Sequence, residues 1–267
     1  MSFLMKNVLA IRRADQFSPN SVEKDRAILM AVVEKLEQPV RVMDEDEYVL
    51  QPLSADLIIS MARRKETLQL LAQQEELGTR VINSAKSLIS ASRSQLQQAM
   101  RELGVALPAT MGDHGYWLKR GDMAAQSEHD VVFCKDAAEL ASAEANFVLN
   151  GITDWVVQAH EQGDLVKWYA VGDGFFKYYY PADDGNFKFA DEKRNGAARH
   201  YPFDAEALHK EVAMVARYMN IQVYGGDAIV REDGSFCIID FNDWPSFSRC
   251  ANEAAEAIAK IISYDKV

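Results

Sequence analysis

Cysteines, long apolar runs and surplus positive charge are all scarce in this chain of 267 residues. The three cysteines lack the paired spacing of a metal site, and we expect them to be reduced and mostly buried. No stretch approaches the roughly 20 apolar residues that span a bilayer, and the first apolar run is too short for a signal peptide. We therefore expect a cytoplasmic protein without a membrane partner.

The charge balance excludes a second class of partner. Lysine and arginine number 29 against 40 aspartates and glutamates, which gives a net charge of −11. Such a chain has no general electrostatic affinity for nucleic acid, so any phosphate site must be built locally. Neither the glycine-rich loop of P-loop proteins nor the His-Arg-Asp motif of protein kinases occurs, which excludes two common nucleotide sites.

The first part of the chain alternates short apolar runs with helical patterns. Strand-like runs at residues 8–11, 56–60 and 80–82 are separated by helical patterns at 22–36 and 66–77. This alternation predicts a small, mostly parallel sheet. The rest of the chain is richer in strand patterns, so we expect an α/β lobe followed by an α+β core.

Two aspartates thirteen positions apart, Asp227 and Asp240, flank a predicted β-hairpin. Asp233-Gly234 lies between two β-prone runs, which is a strong signal for a two-residue turn. Counting outward from that turn pairs Asp227 directly with Asp240, and Asn242 points to the same face. Opposed carboxylates are destabilising unless a cation lies between them, and oxygen ligands of this kind suit Mg²⁺.

Two interpretations of the hairpin stay open, a solvated surface hairpin and a covered metal site. In the predicted register, Ile229 and Ile238 share the carboxylate face. The opposite face has its own apolar side chains, namely Val230, Cys237, Ile239 and Phe241. Because both faces are partly apolar, the pattern favours a covered hairpin, in which a buried carboxylate requires a cation or hydrogen-bond donors.

The hairpin together with the Asp240-Phe-Asn242 and Trp-Pro-Ser-Phe motifs resembles the metal-binding end of ATP-grasp enzymes. In chain order, the likeness is supported by Val-Ile-Asn-Ser at 81–84, Arg93, Leu-Lys-Arg-Gly-Asp at 118–122 and the stretch 156–172. The resemblance implies an α/β (α+β) ATP-grasp fold with a Rossmann-like lobe and two α+β subdomains around ATP. The expected divisions are an N-terminal lobe, a small subdomain and a large subdomain with the metal site, over residues 1–83, 84–155 and 156–267.

The resemblance also implies site residues. Mg²⁺ or Mn²⁺ would be bound by Asp227, Asp240 and Asn242. ATP would be contacted by Arg93, Lys119, Gln158, Glu161, Lys167 and Lys193. Arg194 would be a catalytic residue that holds a substrate carboxylate or phosphate. The sequence is also compatible with each of these lysines and arginines being an ordinary solvated side chain.

ATP-grasp enzymes mostly phosphorylate a carboxylate and let an amine or thiol displace the phosphate. The resemblance therefore implies a carboxylate–amine ligase that acts through an acyl phosphate on a small-molecule or peptide substrate. Many such ligases have an arginine two positions before the first metal-binding acid, where this chain has Gly225. Inositol trisphosphate kinases of the superfamily also lack it, so a small-molecule kinase stays open, as does a silent nucleotide-binding module. The roles of His129, Arg199 and Arg249 and the oligomeric state are left open.

Overall fold

A computed structural model describes residues 7–122, 127–185 and 194–264. The chain begins with a lobe of strands and helices: β1 Val8–Arg12, α1 Val22–Glu34, β2 Val40–Asp44, α2 Glu45–Leu50, β3 Leu57–Ser60, α3 Lys65–Glu76 and β4 Arg80–Ile82. Its four strands form a parallel sheet in the order β2-β1-β3-β4. The alternation predicted from the sequence is confirmed, whereas β2 and α2 had no predicted counterpart because Met43 alone is buried in that edge strand.

The second sheet is antiparallel and small. Two helices precede it, α4 Ala85–Ile89 and α5 Arg93–Glu102, and its own elements are β5 Tyr116–Arg120, β6 Val131–Cys134, α6 Ala137–Leu149 and β7 Trp155–Ala159. The strand order is β6-β5-β7. Ser92 begins α5 with a capping box, in which its side chain accepts from Gln95 N and Gln95 reaches back to the Ser92 backbone. This cap fixes the direction in which Arg93 leaves the helix.

The third sheet is antiparallel and larger. Its elements are β8 Asp164–Val171, β9 Phe175–Tyr179, α7 Pro181–Asp184, α8 Ala205–Tyr218, β10 Val223–Val230, β11 Phe236–Asp243 and α9 Ala251–Tyr264. The strand order is β11-β10-β8-β9, so β11 lies at an edge. The three cysteines are free and buried, as expected.

One hydrophobic core joins the first lobe to the third sheet. Ile28 and Val32 on α1 are fully buried in the same cluster as Ala254 and Ile258 on α9. Burial of each such aliphatic side chain stabilises the fold by about 1.5–3 kcal/mol. The first and third sheets are therefore held in a fixed relation, while the predicted divisions of the chain stay predictions.

Glu45 closes the first lobe at the point where α3 begins. Its buried carboxylate accepts from the N–H of Ala14 and of Arg63, each over 2.8 Å, and from the N–H of Arg64. Helix N-termini are natural anion sites because their first N–H groups lack partners within the helix. In this lobe the chain's own carboxylate fills that position.

The predicted two-residue turn between β10 and β11 is wrong. The N–H of Arg231 donates to the carbonyl of Ser235 over 2.8 Å, which closes a loop of residues 232–234. Gly234 has φ +81°, a left-handed conformation that glycine adopts without steric cost. The extra residue shifts the pairing by one, so that Ile238 faces Ala228.

A β-bulge at Ile239 corrects this shift. Between Ile238 and Asp240, strand β11 has one extra residue, so Asp227 faces Asp240 as predicted. The predicted faces are wrong between the turn and the bulge, because Cys237 lies on the carboxylate face and Ile238 on the opposite one. Two irregularities of opposite effect thus place the acids side by side.

Candidate functional site

A row of side chains crosses the third sheet from strand to strand. In register order the row consists of Asp240, Asp227, Lys167 and Tyr179. Lys167 Nζ lies 3.1 Å from Asp227 Oδ1. Asn242 donates from Nδ2 to Asp240 Oδ2 over 2.9 Å. The two acids and the amide predicted to bind a metal are therefore neighbours on one face of the sheet.

Two further cations reach this row from other parts of the chain. Arg93, at the start of α5, has Nε 3.8 Å from Asp240 Oδ1, and its Nη1 donates to the carbonyl of Arg120 over 2.6 Å. Lys119 on β5 donates from Nζ to the bulged carbonyl of Ile239 over 2.8 Å. Three separate elements, α5, β5 and β8, thus bring a cation to the two aspartates.

The charges in this site shift one another's pKa. Burial lowers the pKa of Lys119 to about 8, although Asp240 opposes the shift. Burial by itself would raise the pKa of Asp240, but Arg93 and Lys119 outweigh it and the pKa is lowered. At neutral pH both groups are charged, and Lys119 loses its proton close to the physiological range.

The donor set fits a hard divalent cation. The side chains of Asp227 and Asp240 are 23% and 25% exposed, so their oxygens can be reached from the cleft. Across residues 7–122, 127–185 and 194–264, no three His, Cys, Asp or Glu side chains form a metal-binding group. A metal here would be held by two carboxylates and the amide oxygen of Asn242. This set suits Mg²⁺, which keeps waters and shares itself with phosphates.

A cavity lies where the outer edge of β11 meets α5. Gln158 on β7 and Gln97 on α5 are both buried, with Gln158 Nε2 3.4 Å from Gln97 Oε1. Gln158 Oε1 and Arg93 Nε are buried and have no hydrogen-bond partner in the described part of the chain. Unsatisfied buried groups cost about 1–3 kcal/mol each. Arg93 and Gln158 both line the cavity, together with Asp240.

The linker between β7 and β8 joins the second sheet to the third. Glu161 in this linker binds Arg231, with Oε2 2.9 Å from Nη2. The backbone carbonyl of Glu161 accepts from Asn195 Nδ2 over 3.1 Å. Arg194 lies with its guanidinium carbon 3.6 Å from the centre of the Phe133 ring. The linker end of the cleft is therefore covered by side chains that follow α7.

The structure brings most of the predicted site residues together. Adjacent in space are Arg93, Lys119, Lys167, Asp227, Asp240 and Asn242. Gln158 lines the same cavity, and Glu161 and Arg194 lie at the linker end. Lys193 lies outside the described residues. The binding roles assigned to these side chains stay predictions.

Three residues whose roles were left open do not lie among the two acids and their cations. His129 is exposed in the short 3-10 helix Glu128–Asp130 before β6. Arg199 donates from Nη1 to Tyr201 Oη over 2.8 Å, and Arg249 lies with its guanidinium carbon 5.6 Å from the centre of the Tyr179 ring. Arg249 thus borders the row that contains the acids, whereas Arg199 does not contact it.

Sequence reasoning missed Arg63. Its guanidinium forms an ion pair with Asp243, and it lines the same cavity as Asp240 and Asn242. A signal was available, because Arg63 follows β3 at the carboxyl end of a parallel strand. Open α/β sheets bind ligands at that edge.

Gly225 faces the same side of the sheet as Asp227, and no side chain fits there. A Cβ atom at this position would lie 2.7 Å from Pro245 Cγ and 2.8 Å from the carbonyl oxygen of Trp168. Pro245 therefore fills the space that a side chain at position 225 would take. The glycine noted in the sequence at position 225 therefore has a steric reason. A cation beside Asp227 must come from another element.

Solved structures with a similar fold are ATP-grasp proteins. D-alanine–D-alanine ligase from Bacillus anthracis, complexed with ATP, has a TM-score of 0.65 at 11% identity, covering 98% of this chain and 100% of that chain. A RimK domain ATP-grasp protein from Sphaerobacter thermophilus has a TM-score of 0.64 at 14% identity, covering 95% and 98%. D-cycloserine synthetase DcsG has a TM-score of 0.63 at 13% identity, covering 96% and 100%.

Identities this low show the fold alone. The chain has the ATP-grasp fold, and the predicted resemblance and fold class are confirmed at that level. No protein-family model and no curated protein matches the chain. None of the helices in the described part of the chain is both long and apolar enough to cross a membrane.

Proposed function

We propose that this chain, which has the ATP-grasp fold, is an ATP-dependent carboxylate–amine ligase that uses Mg²⁺ or Mn²⁺. The substrate would be a small-molecule or peptide carboxylate, and the acceptor an amine or a thiol. One observation supports this above all, the convergence of three cations from three elements on the opposed pair Asp227 and Asp240. Phosphoryl transfer depends on positioning and on charge neutralisation, and the convergence of these charges supports it.

Lys119 and Arg93 would bind the phosphates of ATP. Backbone carbonyls hold both side chains, that of Ile239 for Lys119 and that of Arg120 for Arg93. The charges are therefore in position before the nucleotide binds, which lowers the entropic cost of binding. Because Lys119 is buried, its attraction to a phosphate is screened less than in water.

Asp227, Asp240 and Asn242 would hold the divalent cation. When bound, such an ion supplies neutralisation of charge on the terminal phosphates. Lys167 donates to Asp227 Oδ1 and so orients that carboxylate. Asn242 donates to Asp240 Oδ2, which leaves Asp240 Oδ1 on the side where Arg93 approaches.

The proposed reaction needs no nucleophile from the chain. A carboxylate oxygen of the substrate attacks the γ-phosphorus, the bond to the bridging oxygen breaks, and ADP leaves with the electron pair. The acceptor amine then attacks the acyl carbon, phosphate leaves, and the amine loses a proton. Because Pro245 excludes a side chain at Gly225, a cation that holds the acyl phosphate must come from another element. Arg194 is a candidate for this role.

Product analysis tests the proposal. The protein is incubated with Mg-ATP and pooled carboxylates, amino acids and peptides, with the Asp240→Asn variant as the matched control. We expect ADP and free phosphate in equal amounts, together with a condensed product, and none of these from the variant. ADP without free phosphate would instead indicate a kinase, and nucleotide binding without turnover would indicate a silent module; either result would overturn the ligase.

A further inference from the structure

Three aromatic side chains cluster on the second sheet, and we name this cluster the aromatic platform: Trp117, Phe133 and His160. The centroids of Trp117 and Phe133 are 5.2 Å apart in an edge-to-face arrangement, and Trp117 Nε1 donates to His160 Nδ1 over 3.1 Å. Trp117 and Lys119 share a face because they are two residues apart on β5. The platform thus lies about 7 Å along the strand from Lys119, on the side of the sheet that faces β11.

Two consecutive residues of the chain cover this platform and the adjoining linker. The guanidinium carbon of Arg194 lies 3.6 Å from the centre of the Phe133 ring and 5.9 Å from that of Trp117. The side-chain amide of Asn195 donates to the backbone carbonyl of Glu161 over 3.1 Å. A planar, electron-poor group therefore stacks on the platform while an NH₂ group binds the linker carbonyl.

These two contacts match what an adenine base requires. A purine presents a flat π-face, which stacks on aromatic side chains, and adenine adds an exocyclic NH₂ that donates to a carbonyl. We infer that Arg194 and Asn195 occupy the base position of the nucleotide site, so that ATP or ADP must displace them in order to bind. The inference rests on the proposed function, since it takes Lys119 as the phosphate contact beside the platform.

Both residues can be reached from solvent. Arg194 is exposed and Asn195 is half-buried. A cation–π contact at an exposed site shifts the equilibrium between the bound and the displaced side chain by about two- to sixfold. The hydrogen bond that Asn195 donates to Glu161 adds a shift of similar size. Burial, with Arg194 beside it, lowers the pKa of His160, so its ring stays neutral and accepts from Trp117 while the arginine is in place.

Calorimetric binding with two probes tests the inference. MgADP has the base, and inorganic tripolyphosphate with Mg²⁺ has charge but no base. For Arg194→Ala we expect MgADP to bind about two- to sixfold more tightly than to the parent, with unchanged affinity for tripolyphosphate. Asn195→Ala should act in the same direction to a smaller extent. Arg199→Ala, which removes an equally exposed arginine five residues later, should bind both probes like the parent.

Three results would overturn the inference while leaving the proposed function intact. MgADP could bind Arg194→Ala with the parent's affinity, or more weakly because Arg194 contacts the nucleotide, or the change could extend equally to tripolyphosphate. A parent protein that binds neither probe would instead refute the proposed nucleotide site, and with it this inference. Thermal unfolding of each variant without ligand confirms that a change in affinity does not reflect a loss of folded protein.

Discussion

The first and third sheets both gather cations and acids where their strands end, yet the charges have different partners. In the first lobe Arg12 binds Asp15 and Asp44, with N–O distances of 2.5 and 2.7 Å. Near the third sheet Lys119 binds a backbone carbonyl, and the nitrogen of Arg93 nearest to Asp240 is 3.8 Å away. The hydrogen bond that Arg12 donates to Asp44 raises the pKa of Arg12, whereas burial lowers the pKa of Lys119.

The difference supports a structural role for the cluster in the first lobe and the proposed binding role for the cluster beside the third sheet. In the lobe, Glu45 satisfies three backbone N–H groups with the chain's own carboxylate. In the cavity beside β11, Gln158 Oε1 and Arg93 Nε are buried without a partner in the described part of the chain. Incomplete polar clusters cost stability, and a ligand that completes them binds more tightly for the same reason. The same residue types thus bind backbone groups of the chain in one place and, under the proposed function, would bind a ligand in the other.

The largest effect is expected at the third sheet, from Asp240→Asn. ATP turnover should fall by about a hundred- to a thousandfold, because the variant loses one of the two opposed carboxylates while keeping its size. Steady-state release of ADP measures this. Glu232→Gln, an exposed change in the same hairpin, serves as the control and should retain the parent's rate. Equal turnover by Asp240→Asn would show that the two clusters do not differ in function.

In the first lobe, Glu45→Gln should lower the free energy of unfolding by about 2–4 kcal/mol. The glutamine amide has one oxygen that accepts and one nitrogen that does not, so at least one buried N–H loses its partner. The nearby arginines also lose the negative charge of Glu45. Urea unfolding measures the loss, and MgADP affinity should be unchanged. Arg64→Ala is the control, since its pair with Asp46 is largely exposed and worth less than about 1 kcal/mol. If Glu45→Gln lost MgADP affinity without losing stability, Glu45 would belong to the binding site, which contradicts the comparison.

The buried Lys119, which reaches the third sheet from β5, should make the free energy of unfolding depend on pH. Its folded pKa of about 8 lies below the unfolded value of 10.5, so the unfolded chain binds more protons between these values and stability rises with pH. Relative to Lys119→Met, the parent's free energy of unfolding should increase by about 2–3 kcal/mol from pH 7.5 to pH 10. Urea unfolding of both proteins across this range measures the difference, and a constant difference would contradict the lowered pKa.

The smallest of these effects concerns nucleotide affinity. Lys119→Met should weaken MgADP binding about tenfold at pH 7, the usual worth of one charge-assisted hydrogen bond. The parent's affinity should also fall as the pH rises through about 8, because a neutral lysine attracts phosphate less, whereas the variant's affinity should not. Calorimetry at pH 7 and pH 9 measures both. Lys86→Met, an exposed lysine outside the site, should behave as the parent does.

The pairing of Asp227 with Asp240 shows how far local reasoning reaches and where it fails. The pair was predicted from a two-residue turn, but the structure has a three-residue loop and a compensating bulge at Ile239. The alternation of apolar and polar residues predicts neither irregularity. A bulge leaves a backbone group outside the strand pairing, and the partner of that group depends on the tertiary structure. Here the Ile239 carbonyl is bound by Lys119, from a strand 120 residues earlier.

The sequence by itself determined the alternating first lobe, the acidic hairpin and the set of cations available to it, since these depend on periodicity and on residue chemistry over short distances. Only the tertiary structure decided which cations reach the acids. It placed Arg93 and Lys119 beside Asp240, enclosed Arg12 among acids, and covered Gly225 with Pro245. The reason is physical: a side chain's partners and its desolvation depend on elements packed from distant parts of the chain, and the pattern around one residue does not contain them.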